Sequence, residues 1–195
     1  MNTSFKLDEH RMMDPKYVIR VVKDKWGNSS TWWERQASRA VKLGHYVAIR
    51  GRSDSNLYML RCWLTAPKYS IDETLDSQNS MLLHIFSRGD TDNSCHDHPW
   101  LFETSILCGG YQECLPPKDW DPKSKKGPLH DQNMRWNTPG MTIKHKATDL
   151  HCVGVTIPGT CTLVRTGKRV RDWGFFPPGK PYMHWKAFLD EKAAK

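Results

Sequence analysis

Gly89-Asp90-Thr91-Asp92-Asn93-Ser94-Cys95-His96-Asp97-His98-Pro99-Trp100-Leu101-Phe102-Glu103, running on to Gly109-Gly110, is the stretch on which the reading of this 195-residue chain turns. His96 and His98 are two positions apart, so in an extended strand both imidazoles project from one face. Two neutral imidazoles on one face make a two-point clamp for a divalent metal. Glu103 lies an odd number of positions further on, and simple alternation sends it to the opposite face. A bend at Pro99, which cannot continue a ladder, is the expected means of re-aiming it toward the pair. His151, opening the apolar run Leu150-His151-Cys152-Val153, is the expected fourth ligand; His145 competes with it, and His84 shares a parity set with Leu82 and Phe86.

Working outward, short apolar runs separated by Gly, Pro, Asn and Asp fill the chain from His45 onward. They read as strands at 46–49, 57–60, 81–86, 101–114, 141–146, 150–157, 160–165, 173–176 and 182–188. Many short strands without helical periodicity between them predict an all-β sandwich or barrel. Before them, Thr31-Trp32-Trp33-Glu34 has the spacing of a capping box, and Ala37, Ala40 and Val41 follow at helical intervals up to Gly44. The chain thus divides into an N-terminal extension with one amphipathic helix (1–45) and a β-barrel (46–190). A basic, Pro-rich loop at 116–131 interrupts the barrel.

Composition narrows the function classes. Lys plus Arg number 29 against 21 Asp plus Glu, a formal charge of +8, which leaves contact with nucleic acid open. Nine tryptophans point instead to a pocketed aromatic core. Trp100, Phe102, Trp136, Trp173 and Trp185 are the expected pocket walls; Tyr111, Arg135 and Arg165 are the polar groups expected to orient an anionic substrate. The six cysteines form no CxxC pair and sit mostly in strand-like runs, as buried free thiols do in a reducing cytoplasm. No signal-like h-region and no apolar run of membrane-spanning length is present. Glycine patterns of P-loop, dinucleotide or nucleophile-elbow type are absent too.

The spacing Gly89, His96-Asp97-His98, Glu103, Gly110 resembles the first conserved motif of the cupin superfamily, with one extra residue before the first histidine. Pro139-Gly140 and His151 resemble parts of the second motif at altered spacing. The His-Asp-His-Pro-Trp segment and the run from Thr166 to Phe175 are similar to small cupin-like proteins of bacteria and bacteriophages. The resemblance spans roughly Met81 to Trp185. It implies a cupin-type double-stranded β-helix, or jelly roll, holding a divalent metal (Fe(II) first, then Mn, Ni or Zn) on His96, His98, Glu103 and His151. The function it implies is an Fe(II)-type oxygenase acting on a small molecule in the cytoplasm, or a host's cytoplasm for a phage protein. The alternatives are a metal-dependent isomerase or epimerase, and a non-catalytic metal binder that meets nucleic acid or a protein partner. A homodimer is compatible with either.

Overall fold

The computed structural model describes residues 31–50, 56–64, 80–90, 94–121, 126–128 and 133–193. The polar N-terminal stretch, most of the basic run at 123–126 and the last two residues lie outside these. Helix α1 (Trp32–Lys42) starts where the capping-box spacing places it: the Glu34 carboxylate accepts the Thr31 backbone N–H at 2.7 Å. It ends at Leu43, and Gly44 follows with φ +73°.

Twelve strands follow: β1 (Tyr46–Arg50), β2 (Leu57–Trp63), β3 (Met81–Phe86), β4 (Cys95–His96), β5 (Phe102–Cys108), β6 (Tyr111–Cys114), β7 (Met134–Asn137), β8 (Thr142–His145), β9 (Cys152–Thr156), β10 (Cys161–Thr166), β11 (Gly174–Phe176) and β12 (Met183–His184). Helix α2 (Trp185–Ala193) closes the described chain. All pairings between these strands are antiparallel.

The large sheet runs β1-β2-β3-β10-β5-β8; two smaller ones run β12-β11-β4 and β7-β6-β9. An isolated bridge between His96 and His151, with N–H···O bonds of 2.9 and 3.1 Å in both directions, joins the smaller sheets edge to edge. The result is an all-β, two-layer jelly roll with a short helix at its N-terminal side.

Strand parity assigns the faces of the large sheet. Leu60, Cys62, Leu83, Ile85 and Cys161 point outward and are covered by Ala37, Ala40 and Val41 of α1. The alternate residues, Met59, Arg61, Leu82, His84, Phe86, Thr162 and Val164, line the space between the layers. Both faces of the sheet centre are therefore buried, one under a helix and one around a cavity.

Three strand expectations change. The run 101–114 divides at Gly109-Gly110, where φ is +73° and +148°, into β5 and β6. Met134–Asn137 pairs with β6 as a strand that apolar runs alone did not mark. The segment 182–188 is not one strand: after β12 it turns helical, because Phe188 buries its ring against Phe175 at 4.1 Å, stacked within 16°. All six cysteines are free thiols, five of them buried. Among the described residues no helix is long and apolar enough to cross a membrane.

Candidate metal centre

His96 ends β4, and His98 follows where the chain leaves the strand. Asp97 between them is buried and fixes this corner: its Oδ1 accepts the Gly174 N–H at 2.8 Å, and its Oδ2 is paired with Arg171. Arg171 also donates to the Ala147 carbonyl at 3.1 Å, and the Ala147 carbonyl accepts the His98 N–H at 3.1 Å. The corner is thus bound to both neighbouring loops. His151 arrives beside it through the bridge to His96.

The three imidazoles converge, with one ring nitrogen of each within 4.8 Å of the others. His98 Nε2 and His151 Nε2 stand 2.9 Å apart. Two imidazole nitrogens bound cis to one octahedral metal at about 2.1 Å are separated by about 3.0 Å, so the spacing suits a shared ion. Burial first, then the charges of His96, His151, His145 and Arg61, hold the His98 imidazole well below its ordinary pKa. It is neutral at pH 7 and keeps a lone pair for a metal.

Behind His151 lies a buried glutamate that the sequence reading did not single out. Glu113 Oε1 stands 2.6 Å from His151 Nδ1 and 3.0 Å from His145 Nε2. Its Oε2 accepts from Arg135 at 2.5 Å and from Asn137 at 3.0 Å. Burial alone would raise its carboxyl pKa, but the two imidazoles outweigh that and keep it well below the usual carboxylate range. Glu113, His145 and His151 also form a cluster of ligand-type side chains. The 2.6 Å contact is a hydrogen-bond distance, shorter than the edge between two ligands of one ion, and Arg135 already neutralises the carboxylate. Glu113 therefore orients His151: by accepting Nδ1–H it leaves the Nε2 lone pair aimed at His98.

The structure does not bring Glu103 to the histidines. Pro99 does not re-aim it, because regular pleating resumes at Phe102. Phe102, Thr104 and Ile106 face inward, so Glu103 faces out, where Lys144 (3.6 Å) and Arg165 (3.7 Å) hold it. Arg165 leaves the pocket with it, and Arg135 is engaged on Glu113. Between the competing histidines, His151 stands with His96 and His98, whereas His145 lies behind it, stacked on Phe102 at 4.6 Å.

A cavity of about 110 Å³ opens in front of the three histidines. Trp100, Phe102 and Tyr111 line it, as expected; so does His84. Trp136 does not, being 48% exposed on β7. Trp173 stacks parallel to His98 at 6.3 Å and Trp185 stacks on Trp173 at 5.9 Å, so these two brace the centre from behind. Cys95, next to His96, is turned away by parity and packs with Cys114, Leu150 and Cys152. Once the pleat restarts after Gly109-Gly110, Glu113 shares a face with Tyr111; the position of that restart is the signal that the sequence did not mark.

No family model and no curated protein matches the sequence. Among solved structures, the DMSP lyase DddQ from Ruegeria pomeroyi DSS-3 is similar with a TM-score of 0.51 and 13% identity, over 80% of this chain and 73% of that one. The DMSP lyases RdDddP and RnDddQII align with a TM-score of 0.46 and 14% identity, over 86% and 80% of the respective chains. An Fe(II) HppE structure aligns with a TM-score of 0.42 and 10% identity, over 77% and 83%. At such identities a likeness speaks to fold alone, and the fold of this chain is an all-β jelly roll.

Proposed function

We propose that this chain is a metal-dependent enzyme acting on a small molecule, an Fe(II)-type oxygenase whose metal is held by His96, His98 and His151. The observation that supports the reading is the convergence of three imidazoles at the wall of a largely apolar cavity. Bound there, the metal would supply Lewis acidity and redox chemistry at the coordination positions that three protein ligands leave open.

The chain's own residues have separable parts in this reading. Glu113 fixes the His151 tautomer, and Asp97 with Arg171 fixes the corner that carries His96 and His98. Trp173 limits rotation of the His98 ring. Phe102, Val153 and Val164 exclude bulk water from the reacting volume, which strengthens polar contacts made inside it. Burial raises the Tyr111 phenol well above its ordinary pKa, so it meets substrate as a neutral hydrogen-bonding group.

Anaerobic purification followed by metal analysis and oxygen-uptake measurements with a panel of thiols and small acids tests the reading. Stoichiometric iron and substrate-dependent oxygen consumption are expected. Tightly held zinc with no oxygen uptake would sink the oxygenase assignment. Full metal content in a His96→Ala, His98→Ala double variant would remove the centre itself.

A further inference from the structure

Thr162, Val164 and Thr166 of β10 line the cavity, and Thr160 lies just before that strand. The three threonine hydroxyls are used differently. Thr160 accepts the Gly110 N–H at 2.7 Å and donates to the Ile157 carbonyl at 2.7 Å. Thr166 accepts the Ser80 N–H at 3.1 Å. Thr162, between them, is 1% exposed, and its Oγ1 has no hydrogen-bond partner among the described residues.

Strand register explains why Thr162 finds no partner in the fold. β10 runs between β3 and β5, so its backbone groups are engaged in ladders on both sides. Opposite Thr162 on β5 stands Ile106, which is apolar. Opposite it on β3 stands His84, whose Nε2 already accepts Arg61 Nε at 3.1 Å. A buried hydroxyl left unpaired at a cavity wall is matched by an oxygen among the cavity's contents. The cavity holds about 110 Å³. An apolar cavity of roughly 150 Å³ accepts benzene, so the space here suits a body of about five non-hydrogen atoms.

We propose that Thr162 recognises a neutral oxygen, ether, carbonyl or hydroxyl, on a small and otherwise hydrocarbon substrate. Its Oγ1–H donates to that oxygen. One hydroxyl supplies one hydrogen bond and no charge, which is what a neutral oxygen needs on leaving water. The hydrocarbon part of the substrate packs on Leu82, Phe86 and Val164 and faces His96, His98 and His151 in the same cavity. The inference rests on the reading of this cavity as the substrate site, and not on which metal it holds.

NMR titration of the purified protein with tetrahydrofuran and cyclopentane, rings of one size that differ in a single oxygen, tests it, with metal content measured on each sample. The readout is the ratio of the two affinities, in which their common fit to the cavity cancels. Thr162→Val should shift that ratio about fivefold toward cyclopentane, whereas Thr162→Ser, which keeps the hydroxyl, should stay within about twofold of wild type. Thr162→Val should also unfold in urea no earlier than wild type, because the hydroxyl it removes makes no bond within the fold. An unchanged ratio in Thr162→Val, an equal shift in Thr162→Ser, or a clearly lower urea midpoint for Thr162→Val overturns the proposal. Propionate is the charged arm: if Thr162→Val weakens propionate more than tetrahydrofuran, the assignment to a neutral oxygen is wrong. Metal-replete protein whose affinity ratio ignores Thr162 refutes this inference alone. A Thr162-dependent ratio in protein that binds no metal supports the inference and refutes the metal centre alone.

Discussion

Glu103 and Glu113 show how much one position of strand phase decides. Glu113 is fully buried with four side-chain partners, whereas Glu103 is 26% exposed beside Lys144 and Arg165. Replacing Glu113 by Gln should free the His151 tautomer and weaken metal binding by about 10- to 100-fold, measured by competition with a chromophoric chelator. Glu113→Ala should in addition lower stability by about 3 kcal/mol in denaturant unfolding, since it strands two buried imidazoles. Glu103→Gln should leave metal content unchanged and alter stability by less than about 1 kcal/mol, as expected for partly exposed pairs. Loss of metal from the Glu103 variant, with the Glu113 variants unaffected, would reverse the roles assigned to them. The His96–His98 pair was legible because its spacing survives any register. The identity of the helpful glutamate was not, because it depends on where the pleat restarts after Gly109-Gly110.

At the scale of elements, the all-β texture, the position of α1 and most strand centres follow from local pattern. The errors fall where a tertiary contact overrides that pattern. The apolar residues from Tyr182 to Phe188 read equally as a strand or as the start of a helix, and only the docking of Phe188 on Phe175 separates the two. Phe188→Ala should therefore cost about 3–4 kcal/mol in chemical denaturation, a large loss for a residue so near the end of the chain. A change below about 1 kcal/mol would mean that α2 does not hold the small sheet. Close approach also governs the segment leading to the histidines. A Cβ on Gly89 would lie 1.7 Å from the Gly154 carbonyl oxygen, and the adjoining Asp90 N–H donates to Val153 at 2.7 Å. Gly89→Ala must displace β9, whose entry carries His151. It should reduce metal affinity as well as stability, and unaltered metal affinity in a folded Gly89→Ala protein would contradict that coupling.

For the whole molecule, the excess of basic residues and of tryptophans resolves differently. Trp100 lines the cavity and Trp173 and Trp185 brace the histidines, whereas Trp32 and Trp136 are exposed; several of the cations serve as outer-face partners of acidic residues. His84 shares its parity with Leu82 and Phe86, but its contact with Arg61 comes from strand register, which no local pattern marks. Its burial has a consequence for the fold as a whole. His84 has its pKa lowered from 6.5, because the folded state refuses a proton that the unfolded chain accepts. Above about pH 6.5 neither state is protonated there, and His84 makes stability independent of pH. As pH falls below 6.5 the unfolded chain takes up the proton first, so stability declines, by up to about 1.4 kcal/mol per pH unit, until the depressed folded pKa is reached. Glutamine at this position keeps an acceptor for Arg61 Nε but does not titrate. Urea unfolding of metal-free protein between pH 7.5 and 5.5 should then show a steeper acid-side loss in wild type than in His84→Gln, with the curves parallel above pH 7. Parallel curves throughout would mean that His84 accepts a proton in the fold as readily as in water, which its burial against a guanidinium forbids.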